Sequence, residues 1–111
     1  MYKLHYAPDN ASLIIRLVLD GAGIPYRTQL VDRSRRQQDS ATYRALNPTG
    51  LIPTLETPVG PISETGAILL WLSDTHHLGP SPVDPDRPVF LKWLFFLSNT
   101  AHAELRQIFY P

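Results

Sequence analysis

Three short stretches carry groups arranged to do chemistry: "YAPDNASLIIR" at 6–16, "TGLIPTL" at 49–55 and "SETGAI" at 63–68. In the last, Ser63, Glu64 and Thr65 stand at the predicted start of a helix. Unpaired N–H groups and the helix dipole make such a start a site for an anion. The same residues also fit an ordinary N-cap with an acidic first turn. In "TGLIPTL", Pro53 interrupts an apolar run that otherwise reads as a strand. Proline removes a backbone donor, so either the strand lies at an edge or something compensates for the loss. In the first stretch Tyr6 offers a phenol, and Ser12 offers a hydroxyl at a helix start, where it also fits an N-cap.

Composition narrows the rest. There is no cysteine among the 111 residues, which excludes a disulfide scaffold, a thiolate metal site and a Cys-x-x-Cys redox pair, and makes the cytosol the default compartment. Any reactive thiol must therefore arrive with a ligand. His5, His76, His77 and His102 lack metal-ligand spacing, so no metal is expected. Ten basic residues balance ten acidic ones, and nothing in that balance recruits nucleic acid or an anionic membrane. Arg33, Arg35 and Arg36 read as a solvated charge run, the alternative being contact with a ligand carboxylate.

Elements must position these groups. Alternation over 2–6 predicts a strand that stops at the turn Ala7-Pro8-Asp9-Asn10. Residues 11–22 are apolar on nearly every face apart from Arg16 and Asp20, which predicts a mostly buried helix stopped by Gly21 and Gly23. A second strand is expected over 26–31, and a polar segment then leads into a short helix over 40–46 that ends before Asn47-Pro48. Short strands over 54–57 and 61–63 flank the turn Pro58-Val59-Gly60. A helix over 64–77 should carry Ile68, Leu69, Trp71 and Leu72 toward a core. Gly79, Pro80, Pro82, Pro85 and Pro88 mark a linker. Beyond it a helix over 89–109 opens with "VFLKWLFFL", apolar around most of its circumference, and this apolar block over 89–97 is far short of the ~20 residues that span a bilayer.

The order βαβ-α-ββα is an α/β, thioredoxin-like arrangement, since parallel pairing needs a crossover helix and antiparallel pairing only a short turn. The expected organisation is a thioredoxin-like domain at 1–78, a linker at 79–88, and at 89–111 the first helix of an all-helical domain that the chain does not complete. A chain with that apolar helix unpartnered is expected to associate in solution and to be inactive alone.

The residues "NPTGLIPTL" followed by "SETGAILLWLSD" resemble the N-terminal domain of the glutathione transferases, and "DRPVFLKWLFFLSNTAHAELR" resembles the first helix of that family's second domain. The resemblance implies that Pro53 is cis and turns the Ile52 backbone outward, to pair as an added strand with the cysteinyl unit of bound glutathione. It implies that Thr65 holds the γ-glutamyl carboxylate while Glu64 faces the ammonium. It places the ligand's thiol near the turn after the first strand, where three alternatives stand. Ser12, in Ser-x-x-x-Arg with Arg16, is similar to serine-type members whose hydroxyl bonds the sulfur. Cysteine-type bacterial members would carry their cysteine where Ala11 stands. Tyr6 is similar to the phenol of tyrosine-type members.

The function so implied is that of a transferase that binds glutathione as co-substrate, stabilises its thiolate and directs it at a small electrophile. The intact protein would be a cytoplasmic homodimer with no nucleic-acid or membrane partner. The competing expectation is a glutathione-binding or protein-interaction module of the same fold without activity, suggested by Ala11. A disulfide oxidoreductase with its own thiol pair is excluded by the absence of cysteine.

Overall fold

The structure is a computed structural model that describes residues 1–8 and 10–101. His102 and the helix expected over 102–109 lie outside the described residues, as does Asp9 in the first turn. The chain divides into two compact units, Met1–Ile68 and Leu69–Pro111.

In the first unit, β1 (Tyr2–Tyr6), α1 (Ser12–Gly21) and β2 (Tyr26–Leu30) form a βαβ crossover. Two single 3-10 turns, Arg33–Arg35 and Gln37–Asp39, precede α2 (Ala41–Leu46). The hairpin β3 (Thr54–Thr57) and β4 (Gly60–Ser63) follows, and then the start of α3 (Thr65–His76). The four strands lie in the order β2-β1-β3-β4, with β1 parallel to β2 and both other pairings antiparallel. The thioredoxin-like arrangement is therefore present. Gly60 opens β4 at φ 116°, a conformation closed to ordinary side chains at the hairpin's tip.

Burial follows periodicity. Leu4 and Leu55 are paired across β1 and β3 and fully buried, and Ile15, Leu19 and Ile68 are fully buried as well. Each such side chain contributes about 1.5–3 kcal/mol. Helix α1 departs from the sequence expectation. Ile15 and Leu19, four apart, share the buried stripe, while Leu13, Ile14 and Leu17 are exposed. An apolar composition on all sides therefore does not bury all sides, because only one stripe of α1 is covered. The turns between β2 and α2 tie down the basic run. Arg33 donates to the Pro8 carbonyl, Arg35 pairs with Asp32 at 3.7 Å, and Arg36 pairs with Asp39 at 2.7 Å.

The second unit contains the remainder of α3, a proline-marked connection, and α4 (Arg87–Phe95), which continues into π-helical turns over Phe96–Ala101. Arg87 grips Asp74 with two bonds, of 2.6 and 3.1 Å, and donates to the Pro80 carbonyl at 3.0 Å. Val89, Trp93, Phe95, Phe96 and Leu97 are all exposed. No helix among the described residues is long and apolar enough to cross a membrane.

Three carboxyls should make stability fall in acid. The Ser34 hydroxyl holds Asp32 below the usual carboxylate range, Arg36 and then Arg44 do the same for Asp39, and Arg87 does so for Asp74. A carboxyl lowered by folding contributes fully above its unfolded value of ~3.9 and loses that contribution as pH falls through its lower folded value. The urea midpoint is expected to drop progressively below about pH 4, and the drop should shrink in Asp39→Asn. A midpoint that stays level down to pH 2 would contradict this.

Candidate functional site at one end of the sheet

Strand register gathers the three chemical stretches. His5 pairs with Thr54, and Thr54 pairs with Ser63, so one row crosses β1, β3 and β4. One residue past that row stand Tyr6, Pro53 and Glu64. Residues 6, 53 and 64 are remote in sequence and become neighbours only through this pairing.

The Ile52–Pro53 bond is cis, and Pro53 is buried. Among the described residues, neither the N–H nor the C=O of Ile52 has a hydrogen-bond partner. A backbone edge with both groups free can accept an extended segment as an extra strand.

Beside it, α3 begins at Thr65 rather than at the expected Glu64. Glu64 is held at φ 74°, in the left-handed region, and its C=O accepts the first helical N–H, from Ile68, at 3.0 Å. Left-handed backbone in a residue other than glycine is costly and persists only where the surrounding structure holds it. The N–H groups of Thr65, Gly66 and Ala67 head the helix with no intrahelical acceptor. Among the described residues the side chains of Glu64 and Thr65 make no hydrogen bond or ion pair.

The β1–α1 turn is arranged differently. Ala11 holds the N-cap position without a side-chain bond, and Ser12 is the first helical residue. Ser12 is 1% exposed. Its hydroxyl accepts from the Ala7 N–H at 3.3 Å and donates to the Ala7 C=O at 3.2 Å, while its own N–H donates to Asn10 Oδ1 at 3.0 Å. Tyr6 is partly exposed, with the Arg16 guanidinium 5.1 Å from its ring centre.

A buried polar cluster behind the Ile52 edge was not legible from residue types. Tyr43, on α2, donates to the Leu51 carbonyl and bonds Thr54 Oγ1 at 2.8 Å. Asn47 Nδ2 donates to the same carbonyl at 2.9 Å, and Asn47 Oδ1 accepts from the Thr49 N–H and hydroxyl. Burial raises the Tyr43 phenol above its ordinary pKa, which keeps it a donor. Tyr43 also meets the His5 ring edge-on, and His5 Nε2 lies 2.7 Å from Glu56 Oε2. The only sequence signal was the spacing of Tyr43 and Asn47, four apart and so on one side of a helical turn. Two cavities, of about 370 and 660 Å³, are lined by other residues and include none of Ile52, Pro53, Glu64 or Thr65. Among the described residues no group of three or more His, Cys, Asp or Glu is placed to hold a metal ion.

The geometry defines a class: a thioredoxin-like domain that presents a free backbone edge beside a helix N-terminus and has no thiol of its own. A family model described as glutathione S-transferase, N-terminal domain, matches residues 11–75. The chain belongs to the glutathione S-transferase family through this domain. It is 27% identical over 110 residues to glutathione S-transferase GST-4.5 of Xanthomonas campestris pv. campestris, covering 96% of this chain and 53% of that protein. It is 32% identical over 103 residues to the disulfide-bond oxidoreductase YfcG of Escherichia coli K12, covering 86% and 48%. The crystal structure of a glutathione transferase homologue from Sulfitobacter, with bound glutathione, matches with a TM-score of 0.81 at 27% identity, over 96% of this chain and 52% of that one. The chain spans about half the length of the curated relatives it matches.

Proposed function

We propose that this chain is the glutathione-binding part of a glutathione transferase-like enzyme. The observation that carries the reading is the unpaired Ile52 backbone, brought by strand register beside Glu64 and Thr65. Glutathione's cysteinyl unit adds to that edge as a strand. Its γ-glutamyl carboxylate takes the Thr65 N–H and hydroxyl, and its ammonium faces Glu64, so a zwitterionic end meets a donor site and an acceptor side by side.

The thiol then lies toward the β1–α1 turn. A free thiol has a pKa near ~8.5, and each unit of depression needs about 1.4 kcal/mol of preference for the thiolate. Tyr6 and Ser12 are the hydroxyls at hand, and for Ser12 to serve, it must give up Ala7. In the full enzyme the thiolate's electron pair forms a bond to the electrophilic atom of a small molecule, while the bond broken at that atom gives its pair to the departing group, halide in an aryl halide. The protein supplies orientation and electrostatics. The organisation that goes with this reading is a thioredoxin-like domain over 1–78, a linker over 79–88, and from 89 the first helix of a helical domain holding the electrophile. The intact protein is read as a cytoplasmic homodimer.

One observation favours a second reading, a glutathione-binding module without transferase activity. The Ser12 hydroxyl is buried on Ala7, and Ala11 beside it has no chemistry. Conjugation of glutathione to a generic aryl halide by the intact protein separates the two, because binding without conjugation leaves only the module.

Binding itself is tested by calorimetric titration with glutathione and with an analogue lacking the γ-glutamyl carboxylate. The analogue is expected to bind at least about tenfold more weakly, the scale of one lost charge-assisted hydrogen bond. Equal affinities would remove Thr65 and Glu64 from the site.

A further inference from the structure

We propose that Tyr43, Asn47 and Thr54 form a buried clamp on the Leu51 carbonyl that positions the Ile52 backbone for the ligand; this rests on the reading of that edge as the glutathione site. Leu51 itself is exposed, but two donors from α2 and its C-terminus converge on its carbonyl oxygen: the Tyr43 hydroxyl and Asn47 Nδ2 at 2.9 Å. The three clamp residues are 4%, 2% and 0% exposed. One phenol hydrogen donates to Leu51, so at the 2.8 Å contact the Thr54 hydroxyl donates to the Tyr43 oxygen. Thr54 begins β3 and is in register with His5 on β1. The chain of bonds thus runs from the sheet, through Thr54 and Tyr43, to the peptide that leads into Ile52.

Neighbouring groups hold the same loop. The Leu51 N–H donates to Thr49 Oγ1 at 3.3 Å, and Thr49 is in turn held by Asn47. The Gly50 N–H donates to the Asn47 carbonyl at 3.0 Å. Gly50 sits at φ 71°, and a Cβ there would lie 2.9 Å from Arg44 Nη2 and 3.1 Å from the Gln38 carbonyl, so a side chain there would be strained and would have to displace Arg44. Arg44 is fixed by bonds to Asp39 and to the Pro48 carbonyl. Among the described residues of the loop over 47–52, each of 47–51 has at least one backbone group held, and Ile52 keeps both free. A free edge pairs with a ligand at little ordering cost when the peptide beside it is already fixed.

Loss of clamping therefore weakens binding through the ligand's backbone and not through its charged end. The test measures dissociation constants for glutathione and for an ester analogue in which the cysteinyl N–H is replaced by oxygen. The parent chain is expected to prefer glutathione about tenfold, one hydrogen bond's worth. In Tyr43→Phe, which keeps the ring and removes only the hydroxyl, glutathione binding should weaken several-fold and ester binding by less, because the ester retains only the bond from the Ile52 N–H, so the ratio falls toward one. Asn47→Ala should do the same, and it carries the test if the first variant fails to fold by circular dichroism. Equal weakening for both ligands, or an unchanged ratio in both variants, overturns the clamp. A parent chain that does not bind glutathione, or does not distinguish it from the ester, instead overturns the reading of the edge and the clamp with it.

Discussion

Ser12→Ala is expected to cost the chain about 1–3 kcal/mol of stability, because it strands two backbone groups that no other described residue satisfies. The Ser12 hydroxyl is the hydrogen-bond partner of both the Ala7 N–H and the Ala7 C=O, and Ala7 is only 3% exposed. An alanine at 12 removes both bonds, which are long at 3.3 and 3.2 Å, and a hydrogen bond contributes about 0.5–1.5 kcal/mol. For a domain of this size, a loss of that order lowers the melting temperature by roughly 5–20 °C. The measurement is thermal and urea unfolding of the variant against the parent chain. A second readout separates structure from catalysis: the absorbance of bound glutathione's thiolate as a function of pH. If Ser12 only closes the β1–α1 turn, the thiol titrates alike in both proteins. A rise of a unit or more in the variant would put the Ser12 hydroxyl on the sulfur. A variant as stable as the parent would show that the Ala7 bonds contribute nothing.

Ser12 also marks a boundary of what a sequence reveals. A serine after a strand and before an apolar helix reads as a cap or as a donor to a ligand, and both readings use its position along the chain. In the folded domain it is the first helical residue and turns back across five residues to Ala7. That choice depends on how closely α1 approaches the end of β1, which is a tertiary outcome. The same limit applies to Tyr43, Asn47 and Thr54. Polar side chains at those positions look like helix surface, helix stop and strand start until packing buries them around one carbonyl. Helix α1 errs in the other direction, since its apolar pattern continues onto a face that the described residues leave exposed. Legible from the start were features set by local chemistry: a proline that cannot join a ladder, a glycine at a hairpin tip, and a helix start with acid and hydroxyl in sequence. Order and type of the strands along the chain followed from connection lengths, whereas the register that brings Tyr6, Pro53 and Glu64 to one end of the sheet came only with the pairing itself.

Glu64→Gly is expected to make the chain more stable and a poorer binder of glutathione, two effects of opposite sign from one substitution. The stability gain comes from the backbone. Glu64 is at φ 74°, and left-handed backbone costs an ordinary residue about 1–2 kcal/mol. Glycine removes that cost but loses about 0.5–1 kcal/mol in chain entropy, so the net gain is roughly 0.5–1 kcal/mol. The binding loss comes from the side chain. If Glu64 faces the ligand's ammonium as proposed, removing its carboxylate deletes a charge-assisted bond of about 1.5–3 kcal/mol, or roughly ten- to a hundredfold in dissociation constant. Glu64→Gln divides the two effects, because it keeps a side chain on the left-handed backbone and removes only the charge: its binding should fall nearly as far, with no gain in stability. Urea midpoints and glutathione titrations of the three proteins decide the matter. A glycine variant that binds as tightly as the parent would reduce Glu64 to a turn residue. One that is less stable would mean that the turn at the head of α3 depends on the side chain and not on the conformation. More stability together with less binding is the signature of a fold that tolerates a strained residue because only a side chain on that backbone can meet the ligand.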